Sequence, residues 1–250
     1  MVDYLLSNWR GREGTGVFEG LTTAHVADAC VRAGVPVRTV SVTPVGGAAA
    51  GGAASGGVRV VGRVLPAQHV GSVDVFLEAF ESAVAGDVLV VDNGGRRDEA
   101  CVGDLAALEA KAAGVAGIVI WGLHRDTADI LAIGLPVFSL GALPTGPLRL
   151  DPQPADALSE ATIGEWAVTR EDVVLADEDG AIFVPADRVD ELTTLAESIR
   201  DTERRQAAEI RAGRTLRQQV SFTQFLEKRA ADPTLTFRRH LRSIQASIEE

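Results

Sequence analysis

Apolar residues fall into two alternating rhythms along this chain, and the alternation predicts strands interleaved with helices. In LTTAHVADACVRAG (Leu21 to Gly34) they recur at helical spacing, with Thr22 or Thr23 placed to cap the helix and Gly34 to stop it. Val37 to Val45 then alternates like a single strand. VRVVGRVLPA (Val58 to Ala67) predicts another strand and VDVFLEAFESAV (Val73 to Val84) a helix. Val88 to Val91 and AGIVIWG (Ala116 to Gly122) are continuous apolar runs, which predict strands buried on both faces. Between them DLAALEAKAAG (Asp104 to Gly114) reads as a helix with a glycine stop. HRDTADILAIG leads through a short helix into the strand PVFSL (Pro136 to Leu140), and Leu143 to Pro154 is a proline-rich loop. VVLA and AIFV flank Asp-Glu-Asp-Gly, a hairpin turn signal. Strands alternating with helices imply βα units with parallel pairing, an α/β fold.

Sheet structure is expected to end near Pro185. A charged amphipathic helix follows from Ala186 to about Leu216, and an arginine-rich helical tail from Ser221 to Glu250. The chain thus divides into an α/β unit over 1–185 and a helical extension over 186–250, read as an oligomer contact. Phe222, Phe225, Leu226, Phe237 and Leu241 are the side chains expected to meet an adjacent protomer.

Composition narrows the chemistry. Lys and Arg total 24 against 35 Asp and Glu, a net charge of −11 that argues against direct binding of nucleic acid. Aromatic residues are only 5% of the chain, so its apolar content is the aliphatic material of helix-packed sheets. Cys30 and Cys101 belong to no CxxC or Cys/His cluster, which points away from zinc and disulfides and towards a reduced, cytoplasmic setting. No apolar run is long enough for a membrane span, and the first residues do not resemble a secretory leader. The stretch GGAAAGGAASGG (Gly46 to Gly57) lacks the Lys-Ser/Thr of a phosphate loop and is read as a surface loop. His124-Arg125-Asp126 imitates a kinase catalytic loop without the downstream Asn, the DFG segment or the glycine-rich lid.

The informative constellation is Gly103-Asp104, twenty residues, then Arg125-Asp126, with Asp129 three further on. Asp104 opens a helix, and Arg125-Asp126 follows the carboxy end of a buried strand, where ligand sites of α/β sheets gather. Leu105 and Ala106 can offer free amides to a carboxylate at the helix start. Arg125 can clamp the same anion. Asp126 is a hard oxygen ligand, suited to Mg²⁺ or Mn²⁺ retaining several waters. A plainer reading also fits, with Asp104 and Asp126 as ordinary helix caps and Arg125 as an exposed cation.

The run GDVLVVDNGGRRDEACVGDLAALEAKAAGVAGIVIWGLHRDTADILAIGLPVFSLG resembles the centre of the RraA-like family. That family includes the 4-hydroxy-4-methyl-2-oxoglutarate aldolases and the regulator of ribonuclease activity A. The resemblance begins at LTTAHVADAC, passes through GRVLPA and continues to VVLADEDGAIFVP. It implies an α/β/α sandwich of the swivelling-domain type, assembled as a trimer or dimer of trimers with sites between subunits. It also implies a divalent-metal aldolase that takes a small 2-oxo acid and releases pyruvate. Carried over by position, Asp126 would bind the metal, Arg125 would hold the pyruvoyl oxygens, and Asp104 would orient a water on the metal. Gly103, Leu105 and Ala106 would line the carboxylate subsite. A glutamate from a neighbour's C-terminal helix would approach the metal, matched here by Glu203, with Glu197 and Glu209 as alternatives.

The rival aldolase strategy is a lysine Schiff base, yet the chain has only Lys111, in mid-helix, and Lys228, in the tail. A metal route is therefore favoured. Trp121-Gly122 replaces the family's usual acidic residue and glycine, His124 is an unusual neighbour for Arg125, and Glu171-Asp172 stands for the usual Gly-Asp. His124 reads as a second-layer or surface histidine, with a proton donor or extra ligand as the alternative. Three functions stay open: a pyruvate-releasing aldolase with oxaloacetate decarboxylase side activity, a related lyase or hydrolase on another acid, and a noncatalytic regulator of a ribonuclease.

Overall fold

Helix α1 (Thr23–Ala33) forms where expected. The Thr22 hydroxyl accepts the His25 amide at 3.3 Å, the Thr22 amide donates to His25 Nδ1 at 3.0 Å, and Gly34 ends the helix at φ 66°. In the computed structural model, residues 17–47 and 57–244 are described. Residues 48–56, most of the glycine-rich stretch, lie outside them.

After α1 come β1 (Arg38–Val40), β2 (Thr43–Pro44), β3 (Val60–Gln68), α2 (Asp74–Glu81), β4 (Val88–Asp92) and β5 (Ala100–Val102). Helix α3 (Asp104–Ala112), β6 (Gly117–Trp121), β7 (Leu123–His124), α4 (Thr127–Ile133) and β8 (Val137–Ser139) follow. The chain then forms β9 (Glu160–Ile163), β10 (Trp166–Thr169), β11 (Asp172–Asp177) and β12 (Gly180–Pro185). Helices α5 (Val189–Arg211), α6 (Leu216–Gln219), α7 (Phe222–Ala231) and α8 (Phe237–Ser243) complete it.

Eight strands join in the order β1-β12-β11-β3-β4-β6-β8-β2. Strands β3, β4, β6 and β8 pair in parallel, and the remaining pairings in this sheet are antiparallel. The segment read as one strand from Val37 to Val45 is in fact two. Its halves sit at opposite edges of the sheet, with Val40 against Ala181 and Thr43 against Ser139. Three Cα steps separate Val40 from Thr43, so the two edges approach within about 11 Å and the sheet must curl. Val40 and Val42 are both buried, which hides the break from any reading of alternation.

Packing follows the curl. One face sends Val64, Val88, Val119, Phe138, Val174 and Phe183 into a single cluster, closed by the β9–β10 hairpin. The other face splits into two clusters, as the outside of a curl does. Leu65, Leu89, Ile118 and Ile120 lie under α2 and α3, whereas Val173, Leu175, Ile182 and Val184 lie under α1 and the first half of α5. This is the expected α/β layering, with helices against both wings of the sheet. The β11–β12 turn is tied to α1, because the Asp177 carboxylate accepts the Thr23 amide at 2.8 Å and hydroxyl at 2.7 Å.

The tail folds on itself. Asp232 accepts the Thr234 amide at 3.0 Å and hydroxyl at 2.6 Å around Pro233, which separates α7 from α8. Phe225 meets Phe237 at 5.0 Å and His240 at 5.4 Å between ring centroids, and the His240 ring donates to the Val220 carbonyl at 2.9 Å. Of the side chains expected to face a neighbour, Phe225 and Leu241 are buried in the single chain and Leu226 is exposed. No helix among the described residues is long and apolar enough to cross a membrane.

Candidate active site

A two-stranded ladder outside the main sheet assembles the constellation. β5 pairs in parallel with β7, Ala100 against Leu123 and Val102 against His124, and the Arg125 amide donates to the Val102 carbonyl at 2.9 Å. Gly103-Asp104 and Arg125-Asp126 therefore leave neighbouring strand ends side by side. The twenty residues between them are spent on α3 and β6.

Gly103 is the floor of the site. A Cβ there would lie 2.5 Å from Asp126 Oδ2 and 3.2 Å from Arg125 Nε, so both functional side chains rest on the bare glycine. Asp126 has φ 58° and ψ 42°, a left-handed conformation that costs about 1–2 kcal/mol for an L-residue and that Asp tolerates better than most. The turn sends its carboxylate back to Arg125, with 3.3 Å between Nε and Oδ2, and leaves the two side chains 46% and 35% exposed. Neither carboxylate is an ordinary cap. Gly103, not Asp104, occupies the cap of α3, and Asp126 at the cap of α4 makes no capping bond through its side chain. Ala107 is the first residue of α3 whose amide reaches back, to the Gly103 carbonyl at 3.1 Å. The amides of Leu105 and Ala106 thus have no intrahelical acceptor, in the helix turn that follows the glycine on which Arg125 rests.

His124 is neither a surface group nor free for proton transfer. It is buried, with Nδ1 2.7 Å from the Ser139 hydroxyl and Nε2 3.0 Å from the Thr127 hydroxyl, so it pins the strand end to β8 and α4. Burial pushes its imidazole below the usual value, against a smaller opposite pull from the Gly141 carbonyl. Below about pH 6.5 the unfolded chain binds a proton that folded His124 resists, so its share of stability is complete above that pH and declines below it. Urea unfolding at pH 7.5 and 5.5 is expected to show a smaller acid loss for His124→Gln than for the wild type. Equal losses would refute the assignment.

Other expected participants are placed as follows. Asp104 and Asp129 line an open groove of about 500 Å³ between α3 and α4, with Leu108, Lys111, Ala132 and Ile133. Lys111 donates to the Ile133 carbonyl at the end of α4, Lys228 lies on α7, and both are exposed, so neither amine is desolvated as a Schiff-base nucleophile requires. Burial raises the thiol of Cys30 to about 11 and that of Cys101 to about 12, which removes both as nucleophiles at neutral pH. Glu203 lies on α5, over the antiparallel wing, where its carboxylate meets His25 Nε2 at 3.1 Å. One chain by itself does not bring Glu203 to Asp126. No group of three or more His, Cys, Asp and Glu residues is gathered as a metal cage among the described residues.

The residues behind Arg125 carry no motif of their own. Gly146, in the proline-rich segment, lies against its guanidinium, and Glu99 from the loop before β5 binds the same segment at Leu148 and Arg149. The one signal available was an isolated arginine amid prolines and glycines in TGPLRLDP.

The RraA-like family, described as Aldolase/RraA, has a sequence model that matches residues 23–183. A protein of Alcanivorax borkumensis named "Putative 4-hydroxy-4-methyl-2-oxoglutarate aldolase" is 34% identical over 100 residues, 40% of this chain and 61% of its own length. One of the same name from Aromatoleum aromaticum is 36% identical over 104 residues, 42% of this chain and 64% of its own. Protein DlpA of Legionella pneumophila is 32% identical over 132 residues, 52% of this chain and 21% of its own. The chain therefore spans less than two thirds of the length of each of these relatives. Among solved structures, an uncharacterized protein from Pseudomonas syringae pv. tomato superposes with a TM-score of 0.65 at 25% identity, covering 80% of this chain and 93% of that one. Streptomyces coelicolor RraAS2, described as an unusual member of the RNase ES inhibitor RraA family, superposes at 0.61 and 25% identity, covering 74% and 90%.

Proposed function

The chain belongs to the RraA-like family, and from that premise we propose that it is a divalent-metal-dependent lyase. Its reaction in this reading is cleavage of a 4-hydroxy-2-oxo acid such as 4-hydroxy-4-methyl-2-oxoglutarate, with release of pyruvate. The observation that carries the proposal is the placement of Arg125 and Asp126 over bare Gly103, at the free amides of α3. The carboxylates of Asp104, Asp126 and Asp129, which form no cage of ligands among the described residues, fit a hard ion that keeps most of its waters, Mg²⁺ or Mn²⁺, which would be held through Asp126. Such an ion supplies a Lewis acid opposite the negative charge that develops on the 2-oxo acid's oxygens.

The chain's own groups do the rest. The Leu105 and Ala106 amides bind the substrate carboxylate, and the guanidinium of Arg125 holds the adjacent oxo group. Asp104 orients the water that takes the proton from the C4 hydroxyl. As that proton leaves, the C3–C4 electron pair passes to the pyruvate fragment and C4 becomes a carbonyl, and a proton returned to C3 from water completes pyruvate. Loss of CO₂ from oxaloacetate develops the same charge, so decarboxylation is expected as a side activity. Assembly as a trimer or dimer of trimers, with an acidic residue such as Glu203 arriving from a neighbouring subunit, belongs to this reading.

Pyruvate release from 4-hydroxy-4-methyl-2-oxoglutarate and from oxaloacetate, with Mg²⁺, Mn²⁺ or EDTA, tests it. Turnover is expected with either metal, to vanish with EDTA and to return when the ion is restored. Folded, oligomeric protein inert on both compounds would sink the aldolase reading. It would favour another acid substrate or a noncatalytic regulator, the latter supported by similarity to RraAS2. Gly103→Ala offers a second check. Gly103 has φ −126°, which alanine adopts without strain, so the variant is expected to keep its melting temperature. Its methyl group displaces Asp126 and Arg125, and activity is expected to fall about 100-fold.

A further inference from the structure

Glu99 stands immediately before β5 with its carboxylate wholly buried. Its oxygens accept the Leu148 amide at 2.7 Å and Arg149 Nε at 2.8 Å, and Arg96 Nε lies 3.0 Å away. The other end of the Arg149 guanidinium donates to the His69 carbonyl at 3.1 Å and to Asn93 Oδ1 at 2.7 Å. Three residues earlier than Leu148, the Thr145 carbonyl accepts the Ala100 amide at 2.8 Å, and the Leu143 amide donates to the His124 carbonyl at 2.9 Å. The proline-rich segment is therefore fastened on both sides of Gly146. At Gly146 a Cβ would lie 2.7 Å from Arg125 Nη1. Gly146 is absent from the glycines with positive φ, so its backbone does not demand glycine; the space above it does.

We infer that this segment is a brace that sets the guanidinium of Arg125, with Glu99 and Arg149 as positioning residues that hold the brace in place. The inference rests on the reading of Arg125 as the cation that receives the substrate. Burial alone would raise the Glu99 carboxyl, and the Leu148 amide, Arg149 and Arg96 together hold it below its usual value, so the pair stays ionised. A pair this buried contributes little net stability relative to apolar side chains of the same size. What it does supply is a fixed geometry. Through Ala100 and Thr145 that geometry reaches β5, which carries Gly103, and through Gly146 it reaches Arg125 directly.

The test compares wild type, Gly146→Ala and Glu99→Gln in three measurements. These are melting temperature, phenylglyoxal labelling of Arg125 read by peptide mass spectrometry, and kcat and KM for pyruvate release. Gly146→Ala is expected to melt as the wild type does, because its methyl group meets only the far end of a flexible side chain. Its Arg125 is expected to label severalfold faster, and KM to rise about 10-fold with a smaller change in kcat. Glu99→Gln is expected to move labelling and KM in the same direction. Unchanged labelling and KM in Gly146→Ala would overturn the brace. If the wild type releases no pyruvate, the labelling rates still decide the brace while the aldolase reading falls by itself.

Discussion

Asp126→Asn is expected to lower kcat/KM for metal-dependent pyruvate release by at least about 10³-fold, roughly 4 kcal/mol of transition-state stabilisation. Asparagine is the informative replacement because it shares with aspartate a tolerance for the left-handed backbone seen at φ 58°. The fold is thereby preserved while the charge and the hard anionic oxygen are lost. Alanine at this position would add backbone strain to the loss of the ligand and blur the result. Arg125→Ala should fail equally, for another reason: the α3 amides would face the substrate carboxylate without the fork that fixes its partner oxygens. Circular dichroism and melting curves should show both variants folded. Wild-type metal-dependent turnover in Asp126→Asn would remove Asp126 from the site and with it the proposed mechanism.

The largest expected effect on stability lies elsewhere, at the seam between the two outer clusters. Arg63 stands on β3 between Val61, which packs under α1 and α5, and Leu65, which packs under α2 and α3. There the outer helices part, and Arg63 fills the gap by pairing with wholly buried Asp87 through two bonds of 3.1 and 3.0 Å. Asp87 also accepts the Val84 amide at 3.0 Å, and Arg170 approaches to 3.9 Å. Asp87→Ala leaves a buried guanidinium without its counter-charge and is expected to reduce the unfolding free energy by about 3–5 kcal/mol. Urea denaturation should show the loss as a lower midpoint at unchanged slope. Replacing both partners, Arg63→Met with Asp87→Leu, is expected to recover most of it, since the penalty is that of an unpaired charge. A single-variant loss under about 1 kcal/mol would mean that water reaches the pair as it does at a surface.

Legibility varied with the range of the interactions involved. The β11–β12 hairpin was readable because Asp-Glu-Asp-Gly and the alternating flanks are neighbours in sequence, and α1 because Thr22 and Gly34 cap it locally. The β9–β10 hairpin went unassigned although Ala161 and Ile163 alternate and Gly164 marks the turn; proline-rich sequence before it masked a four-residue strand. The pairing of Gly103-Asp104 with Arg125-Asp126 was legible as a spacing. What joins them, the short β5–β7 ladder, was not, since ACV and LH carry no strand signal of their own.

By itself, then, the sequence determined the order of βα units, the caps, the apolar runs of β4 and β6 and the residue types at the candidate site. Each depends on periodicity or on contacts within a few residues. Tertiary structure alone decided that Val37 to Val45 spans two sheet edges, that His124 is held by Ser139 and Thr127, and that Glu99 and Arg149 clasp a segment against Arg125. Those outcomes depend on which distant strand ends become neighbours once the sheet curls. A buried charge reveals its partner only after both have been withdrawn from water.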